Sequence, residues 1–375
     1  MDSSAKAGKR TFEMPDADKR LKAICQKGLK GRFGDNPPDA VKERLAHELK
    51  VVARNKHSKY YLLAEMLAEE AERLHHAVFF RGTITSSLIA YTSGISHVNP
   101  MEPEYGGVNL PFEMTGEEYE GIAPAVDIQC STAFILFAQI YLARILPEYR
   151  CVSYPLAGDA GVRSVRIYLV KEDEMPERDP LDIEGTNKDE YPDFMFFDDY
   201  FRITLVGDSK MERVRYYTFY NEKAVDFRET DLDKVIPQIW KLEKREGTLL
   251  TAFKELKVRT YEELITVLGM SFAAGAWEGV PQKMVLEGRL PLADMIGSRD
   301  DLFTYLVNIG FDREEAFEIS NRVRKGKRLT GEQAVQMKKQ GAADWVLEFC
   351  GQVRYLFPRA HLAQIIRRDA FLTCG

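Results

Sequence analysis

The spacing of apolar residues changes twice along this chain, and that change restricts the folds open to it. From Asp16 to Leu74, residues such as Leu45, Leu49, Val52, Leu62, Leu63, Met66 and Leu67 recur mostly three or four apart, the period of an amphipathic helix. Asn36-Pro37-Pro38 interrupts the run, because proline cannot continue a helix, so two helices are expected there. Ala77 to Phe80 then has the length and composition of a short strand, runs into Arg81-Gly82-Thr83, and gives way to a helical pattern from Thr85 to Tyr91. A helix is expected from Ala133 to Leu146, and alternating strands at Val162 to Val170 and Tyr200 to Val206. A further strand, Arg213 to Tyr220, is expected to pair with the last of these as a hairpin across Gly207-Asp208-Ser209. Beyond about Leu250 only helical patterns remain: Tyr261 to Leu268, Leu292 to Ile296, Asp300 to Val307, Arg313 to Arg324, Gly331 to Lys339, Ala343 to Tyr355 and Arg359 to Arg368. Strands set among helices, followed by helices alone, make an α+β class: a small mixed sheet with flanking helices, then an all-helical domain.

With 375 residues, 45% of them apolar, the chain can bury a substantial core and divides by pattern into 1–75, 76–249 and 250–375. No run of eighteen apolar residues occurs, and MDSSAKAGKR has charges without an apolar stretch behind them. Neither a membrane partner nor a secretory leader is therefore expected, and the cytoplasm is the expected location. Cys25, Cys130, Cys151, Cys350 and Cys374 form no C-x-x-C pair, which argues for free thiols over a zinc ribbon or disulfide framework.

Charge is strongly polarised. The formal net charge is -6, yet residues 321–368 hold eleven Lys and Arg against Glu332, Asp344 and Glu348, about +8, which leaves about -14 elsewhere. Lys171 to Arg202 holds twelve acids against four bases and several prolines, and reads as a solvated loop. A basic face suits a phosphate backbone or a triphosphate; a solvated helix surface is the plainer alternative.

Several segments, in order, resemble the bacterial replicative DNA polymerases of family C, PolC type. Leu21-Lys22-Ala23-Ile24-Cys25 through Gly28-Leu29-Lys30-Gly31-Arg32-Phe33-Gly34, with Val41 to Leu45, resembles the opening of that family's palm. Arg81-Gly82-Thr83-Ile84-Thr85-Ser86-Ser87 resembles its phosphate loop, and Gly94-Ile95-Ser96-His97-Val98-Asn99-Pro100 the segment after it. A strand-to-helix turn of small residues can present N–H groups, an Arg and Ser hydroxyls to phosphate, although R-G-x-x-x-S-S is also an ordinary N-cap turn. Tyr261-Glu262-Glu263-Leu264, Gly269-Met270-Ser271, Trp277, Arg299-Asp300-Asp301, Val323-Arg324-Lys325-Gly326-Lys327 and Arg354-Tyr355-Leu356-Phe357-Pro358-Arg359-Ala360-His361 resemble the PolC fingers. The resemblance covers about residues 13–131 and 250–371. It implies a palm-like, nucleotidyltransferase-like sheet at 76–249, preceded by helices of palm or thumb, and a fingers-like domain at 250–375. It also implies that Arg81, Gly82, Ser86, Ser87, Lys325, Lys327, Arg354, Arg359 and His361 bind nucleotide or phosphate. Core positions for Trp277 and Tyr355, and a solvated face for the arginines, are the bland alternatives.

Nucleotidyl transfer in this family needs three aspartates to hold two Mg²⁺ ions about 4 Å apart. Two come from P-D-I-D on one strand and one from L-K-L-D on its neighbour. Here the first motif reads Pro124-Ala125-Val126-Asp127 and the second Phe201-Arg202-Ile203-Thr204, so Asp127 alone remains. Asp198, Asp199 and Asp208 read as surface acids, though each is a formal substitute. Thr85 stands where the phosphate loop has glycine, Ser271-Phe272-Ala273 replaces S-H-G, and Pro100 leads to Leu110 without the family's cysteine-rich zinc insertion. No exonuclease, PHP or clamp-binding part is expected beside this core.

The expectation is a catalytically inactive PolC-like protein that binds DNA or a dNTP, with no cofactor and Mg²⁺ only if activity survives at Asp127. Two alternatives stay open: a protein-interaction scaffold acting on a replication protein, and a residual metal-dependent nucleotidyltransferase. His75-His76, adjacent on a helix end, do not form a metal pair. His47 and His57 read as surface residues, and Ser153 and Ser271 lack a nucleophile-elbow setting.

Overall fold

The computed structural model of the chain describes residues 11–156, 164–171, 202–208, 211, 236, 256, 258–273, 275–277 and 279–374, without the side chains of 154–156, 280 and 370–374. Three helices open it: α1 (Ala17–Phe33), α2 (Asp39–Arg54) and α3 (Ser58–Arg73). The break at Pro37-Pro38 falls where expected. A second break, at Asn55-Lys56-His57, does not follow from local pattern, and Lys56 turns the chain in a left-handed conformation at φ 58°. Distant groups hold it: Asn55 Nδ2 donates to the carbonyl and carboxylate of Glu117, and His57 Nδ1 lies 2.6 Å from Glu117 Oε2. His57 is accordingly buried, not a surface residue, whereas His47 stays exposed beside Glu118.

Strand β1 (Val78–Arg81) follows, then a single 3₁₀ turn at Thr83–Ser86 and α4 (Leu88–Thr92). Ser87 caps α4 by accepting from the N–H of Ala90. Next come β2 (Val126–Cys130), α5 (Thr132–Ile145), β3 (Tyr149–Leu156), β4 (Ser164–Lys171) and β5 (Arg202–Gly207). Strand β3 had no counterpart in the sequence reading. It sits at the sheet edge, the place in a sheet where a proline such as Pro155 is tolerated.

The sheet order is β1-β2-β5-β4-β3, with β2 and β5 parallel and every other pair antiparallel. Both edges of β5 are thus occupied, by β2 and β4, leaving none for the expected hairpin partner; residues 213–220 themselves, like the acidic segment 172–201, lie outside the described residues. Side chains alternate cleanly between faces. Val78, Phe80, Val126, Ile128, Cys130, Val165, Ile167, Ile203 and Leu205 point into one core with α1, α3, α4 and α5. The intervening positions, among them Phe79, Arg81, Asp127 and Thr204, face the other way.

The remaining helices are α6 (Tyr261–Phe272), α7 (Val280–Leu286), α8 (Arg299–Asn308), α9 (Arg313–Arg324), α10 (Gly331–Lys339), α11 (Asp344–Gln352) and α12 (Arg359–Cys374). Capping boxes at Thr260, Ser298 and Thr330 start α6, α8 and α10, each side chain accepting from the third N–H of its helix while that residue answers to the cap N–H. Helix α7 and the 3₁₀ form of Leu292–Asp294 were not anticipated. The second sheet face does not stand apart from these helices. Phe79, Val98, Val108 and Leu110 share a core with Leu264, Leu268, Leu362 and Ile366. A further core joins Leu302, Phe317, Val346 and Phe349 to Met114.

Cys25, Cys130 and Cys350 are buried free thiols and Cys151 is a half-buried one, as the spacing suggested. No helix among the described residues is long and apolar enough to cross a membrane.

Candidate functional site

Between the second sheet face and helices α8, α9 and α12 lies a cleft of about 450 Å³. Arg81, Gly82, Ala125, Asp127 and Arg202 form its sheet side; Arg299, Asn321, Arg324, Lys325, Tyr355, Phe357 and His361 form the helical side. Glu120 lines its rim.

Strand pairing sets the sheet side. Arg81 is the cross-strand partner of Asp127 on antiparallel β1, and Thr204 is its partner on parallel β5. Two residues before Asp127 and Thr204, on the same face, stand Ala125 and Arg202, both lining the cleft. Positions 125, 127 and 204 therefore share one sheet face, and only one of them is acidic. Asp127 Oδ2 lies 3.6 Å from where a side chain on Gly82 would begin, and among the described residues the carboxylate takes no hydrogen bond and no ion pair.

These residues do not fit a pair of divalent ions. Ala125 has no oxygen to offer, the Thr204 hydroxyl is neutral, and among the described residues no three His, Cys, Asp or Glu side chains form a metal-holding group. Asp208 is occupied elsewhere: its Oδ2 accepts from Gln129 Nε2 and lies 3.8 Å from Arg368 Nη1. Asp198 and Asp199 lie outside the described residues.

On the helical side two motifs meet because Gly326 has no side chain: a Cβ there would come within 2.4 Å of the Arg354 carbonyl oxygen. Close approach of these backbones brings Arg324 and Lys325 beside Tyr355 and Phe357. Phe357 packs edge-on against Tyr355 at 4.8 Å and stacks on the His361 ring at 5.4 Å and 14°. Burial, with Arg81 and Arg368 adding repulsion, pushes the His361 imidazole down to about 3, so it is neutral at physiological pH.

Arg299 is buried at 2% exposure; it donates to the Met114 carbonyl at 2.8 Å and to Asn321 Oδ1 at 3.3 Å. Burial lowers it to about 10, which leaves it charged, while its Nε makes no hydrogen bond and lies 3.8 Å from Asp300 Oδ2. Desolvation raises the neighbouring Asp300 carboxyl. The Nε of Arg324 is likewise buried and without a partner. Among the described residues the side chains of Arg202, Arg324 and Lys325 make no ion pair or hydrogen bond. The cleft lining holds five Arg and Lys (81, 202, 299, 324, 325) against two acids (120, 127), a surplus of three positive charges. Such a concave, cationic, partly aromatic surface is chemically suited to a phosphate-bearing ligand with a flat ring.

Of the residues singled out from sequence, Arg81, Gly82, Asp127, Lys325 and His361 line this cleft. Ser86 and Ser87 do not; both are at 0% exposure, and Ser87 donates to Glu48 Oε2 at 2.7 Å. Arg359 is turned inward as well, donating from Nε to the Val108 carbonyl and from Nη1 to Asp301 Oδ1. Lys327 and Arg354 are exposed and outside the lining. Arg324, Tyr355 and Phe357 belong to the site through motifs already visible in sequence; Arg202, Glu120 and Asn321 carried no such signal. Trp277 is core, at 2% exposure, and Tyr355, at 37%, is not.

Residues 19–133, which span α1 to the start of α5, match the bacterial DNA polymerase III alpha NTPase domain. The chain is 25% identical over 449 residues to a PolC-type DNA polymerase III of Caldanaerobacter subterraneus, covering 92% of this chain and 32% of that protein. It is 23% identical over 460 residues to the Pediococcus pentosaceus protein (95% and 32%) and 23% over 459 residues to the Bacillus subtilis one (95% and 32%), both also described as DNA polymerase III PolC-type. The likeness thus extends through the middle of the chain, between the motif-bearing segments 13–131 and 250–371. The chain spans about a third of the length of the curated relatives it matches. The matched domain and this similarity over more than nine tenths of its residues support a PolC-like protein.

Proposed function

We propose that this PolC-like chain binds nucleic acid or nucleotide through the cleft between sheet and helices and does not polymerise DNA. In this reading the five-stranded sheet corresponds to a palm and residues 250–375 to fingers, and the setting is DNA replication, as the names of its relatives suggest. One observation carries it: Asp127 is the one acid among positions 125, 127 and 204 on a sheet face whose cleft is lined by five cationic side chains. A single carboxylate cannot clamp the two ions that activate a 3′-hydroxyl and neutralise a departing pyrophosphate, whereas the cations still attract phosphate.

Primer extension and pyrophosphate release, each with Mg²⁺ and with Mn²⁺, test the first half. No extension above background is expected from the wild type, and Asp127→Asn should be indistinguishable from it. Metal-dependent extension that Asp127→Asn abolishes would overturn the reading. Anisotropy of labelled primer-template at low salt tests the second half, with binding expected.

A further inference from the structure

Resting on the cleft being a phosphate-binding site, we infer that it accepts the polyphosphate of a nucleoside triphosphate without a divalent metal. Arg202, Arg324 and Lys325 supply the positive charge that metal ions would otherwise bring. Three independent features of the chain converge on this.

The first is the charge balance of the lining. Acids at positions 125 and 204 would repel a triphosphate unless cations stood between them; with Ala125 and Thr204 in place, that repulsion is gone and the surplus of cationic side chains acts on the ligand directly. A free triphosphate carries a charge of about -4, and one bound Mg²⁺ removes about two units of it. The metal-free form is therefore the better electrostatic match to a lining with five bases and two acids.

The second is that these bases are not engaged in holding the fold. Arg202, Arg324 and Lys325 make no polar side-chain contact among the described residues, and the buried Nε of Arg324 has no hydrogen-bond partner. Buried donors in a native structure are nearly always matched, so an acceptor from outside the chain is the natural complement. Guanidinium groups bind phosphate oxygens in pairs with fixed geometry, which a hydrated divalent ion does not improve.

The third is shape. The cleft of about 450 Å³ has the capacity typical of small-molecule sites, and Tyr355 and Phe357 place ring surface beside the bases for a nucleobase to stack on. Neutral His361 adds a flat face without adding charge.

The test is a fluorescence titration of the full chain with labelled dATP, in EDTA and again in excess Mg²⁺. Binding is expected in EDTA, weakened roughly fivefold by Mg²⁺ as the ligand loses charge. Arg202→Gln and Arg324→Gln should each weaken the EDTA affinity about tenfold, the value of one charged contact to phosphate. Lys325→Gln, at an exposed position that the fold does not need, should do so in the same direction. Thermal melting shows which variants remain folded. The double variant Ala125→Asp, Thr204→Asp should invert the pattern, binding poorly in EDTA and regaining affinity with Mg²⁺.

Tighter wild-type binding with Mg²⁺ than in EDTA overturns the inference, as does unchanged affinity in folded Arg324→Gln and Lys325→Gln. If labelled primer-template binds and labelled dATP does not, the inference fails while the broader reading stands. If neither binds, both fail.

Discussion

The most discriminating structural prediction concerns two glycines three residues apart on α1. A Cβ on Gly28 would lie 1.6 Å from the carbonyl oxygen of Thr92, at the end of α4, while one on Gly31 would meet nothing within 4 Å. To bring the Gly28 contact out to 3.0 Å, α1 and α4 must part by about 1.4 Å, the difference of those distances. The obstacle is backbone, so no side chain can rotate away. Parting them strains the Arg32–Tyr91 cation–π contact at 4.6 Å and the Phe33–Tyr91 edge contact at 6.0 Å. Overpacking of this kind costs about 3 kcal/mol or more, and replacing glycine by alanine inside a helix returns about 1 kcal/mol, so Gly28→Ala should lose roughly 2–3 kcal/mol. Gly31→Ala keeps only the helix gain and should be more stable by about 0.5–1 kcal/mol. In thermal unfolding the first should melt roughly 3–4 °C lower than wild type and the second slightly higher. Both alanines moving the melting temperature in the same direction would refute the assigned α1–α4 contact. Since Ser87 caps α4, the turn that carries Arg81 and Gly82 should shift with it, and ligand affinity should fall only in Gly28→Ala.

Glu48 lies at 0% exposure and accepts from Arg44, from the Ser87 hydroxyl and from the N–H of Ile89, so Glu48→Ala should cost about 3–5 kcal/mol in urea denaturation by removing the carboxylate that pairs Arg44 and the acceptor of two buried donors. Burial, with the Glu69 carboxylate adding to it and Arg20 and Lys27 opposing, pushes Glu65 from 4.5 up to about 7. The folded chain thus holds a proton that the unfolded chain releases, so this contribution is full below about pH 4.5 and is lost as pH rises through about 7; Glu65→Gln should flatten that decline in denaturation midpoints. The logarithm of the affinity for primer-template should fall linearly with log salt concentration, and Arg324→Gln and Lys325→Gln should each reduce the slope by about one in an anisotropy series.

Helices whose ends carry their own signals were legible to the residue. Arg313–Arg324 and Gly331–Lys339 were read with the bounds they have, because Asp312 and Thr330 cap them and the glycines at 326 and 341 follow them closely. The break after Arg54 was not legible, since Glu117, more than sixty residues away, holds it. The same logic separates the site residues. Strand alternation was sufficient to place positions 125, 127 and 204 on one face once the motifs were aligned, and the register agrees. A serine-rich turn does not show in its own sequence whether its hydroxyls face a ligand or an internal acid. Glu48, 39 residues upstream, decides that for Ser87. Arg359 likewise reads as a free base in sequence and is an internal brace in the fold, because the acids and carbonyls that receive it come from α8 and the loop at Val108.

Those braces have a consequence for how a ligand is chosen. Arg359 ties α12 to the loop at Val108, Arg299 ties α8 to Met114, and Arg368 ties the far end of α12 to Gln129 on the sheet. Phe79 and Leu110 are sealed under the same helices. Swinging one wall away from the other would expose this apolar surface and strand three guanidinium groups. The mouth is thus held at a set width before anything enters, so discrimination among guests rests on fit to a standing shape, and entry needs no slow hinge.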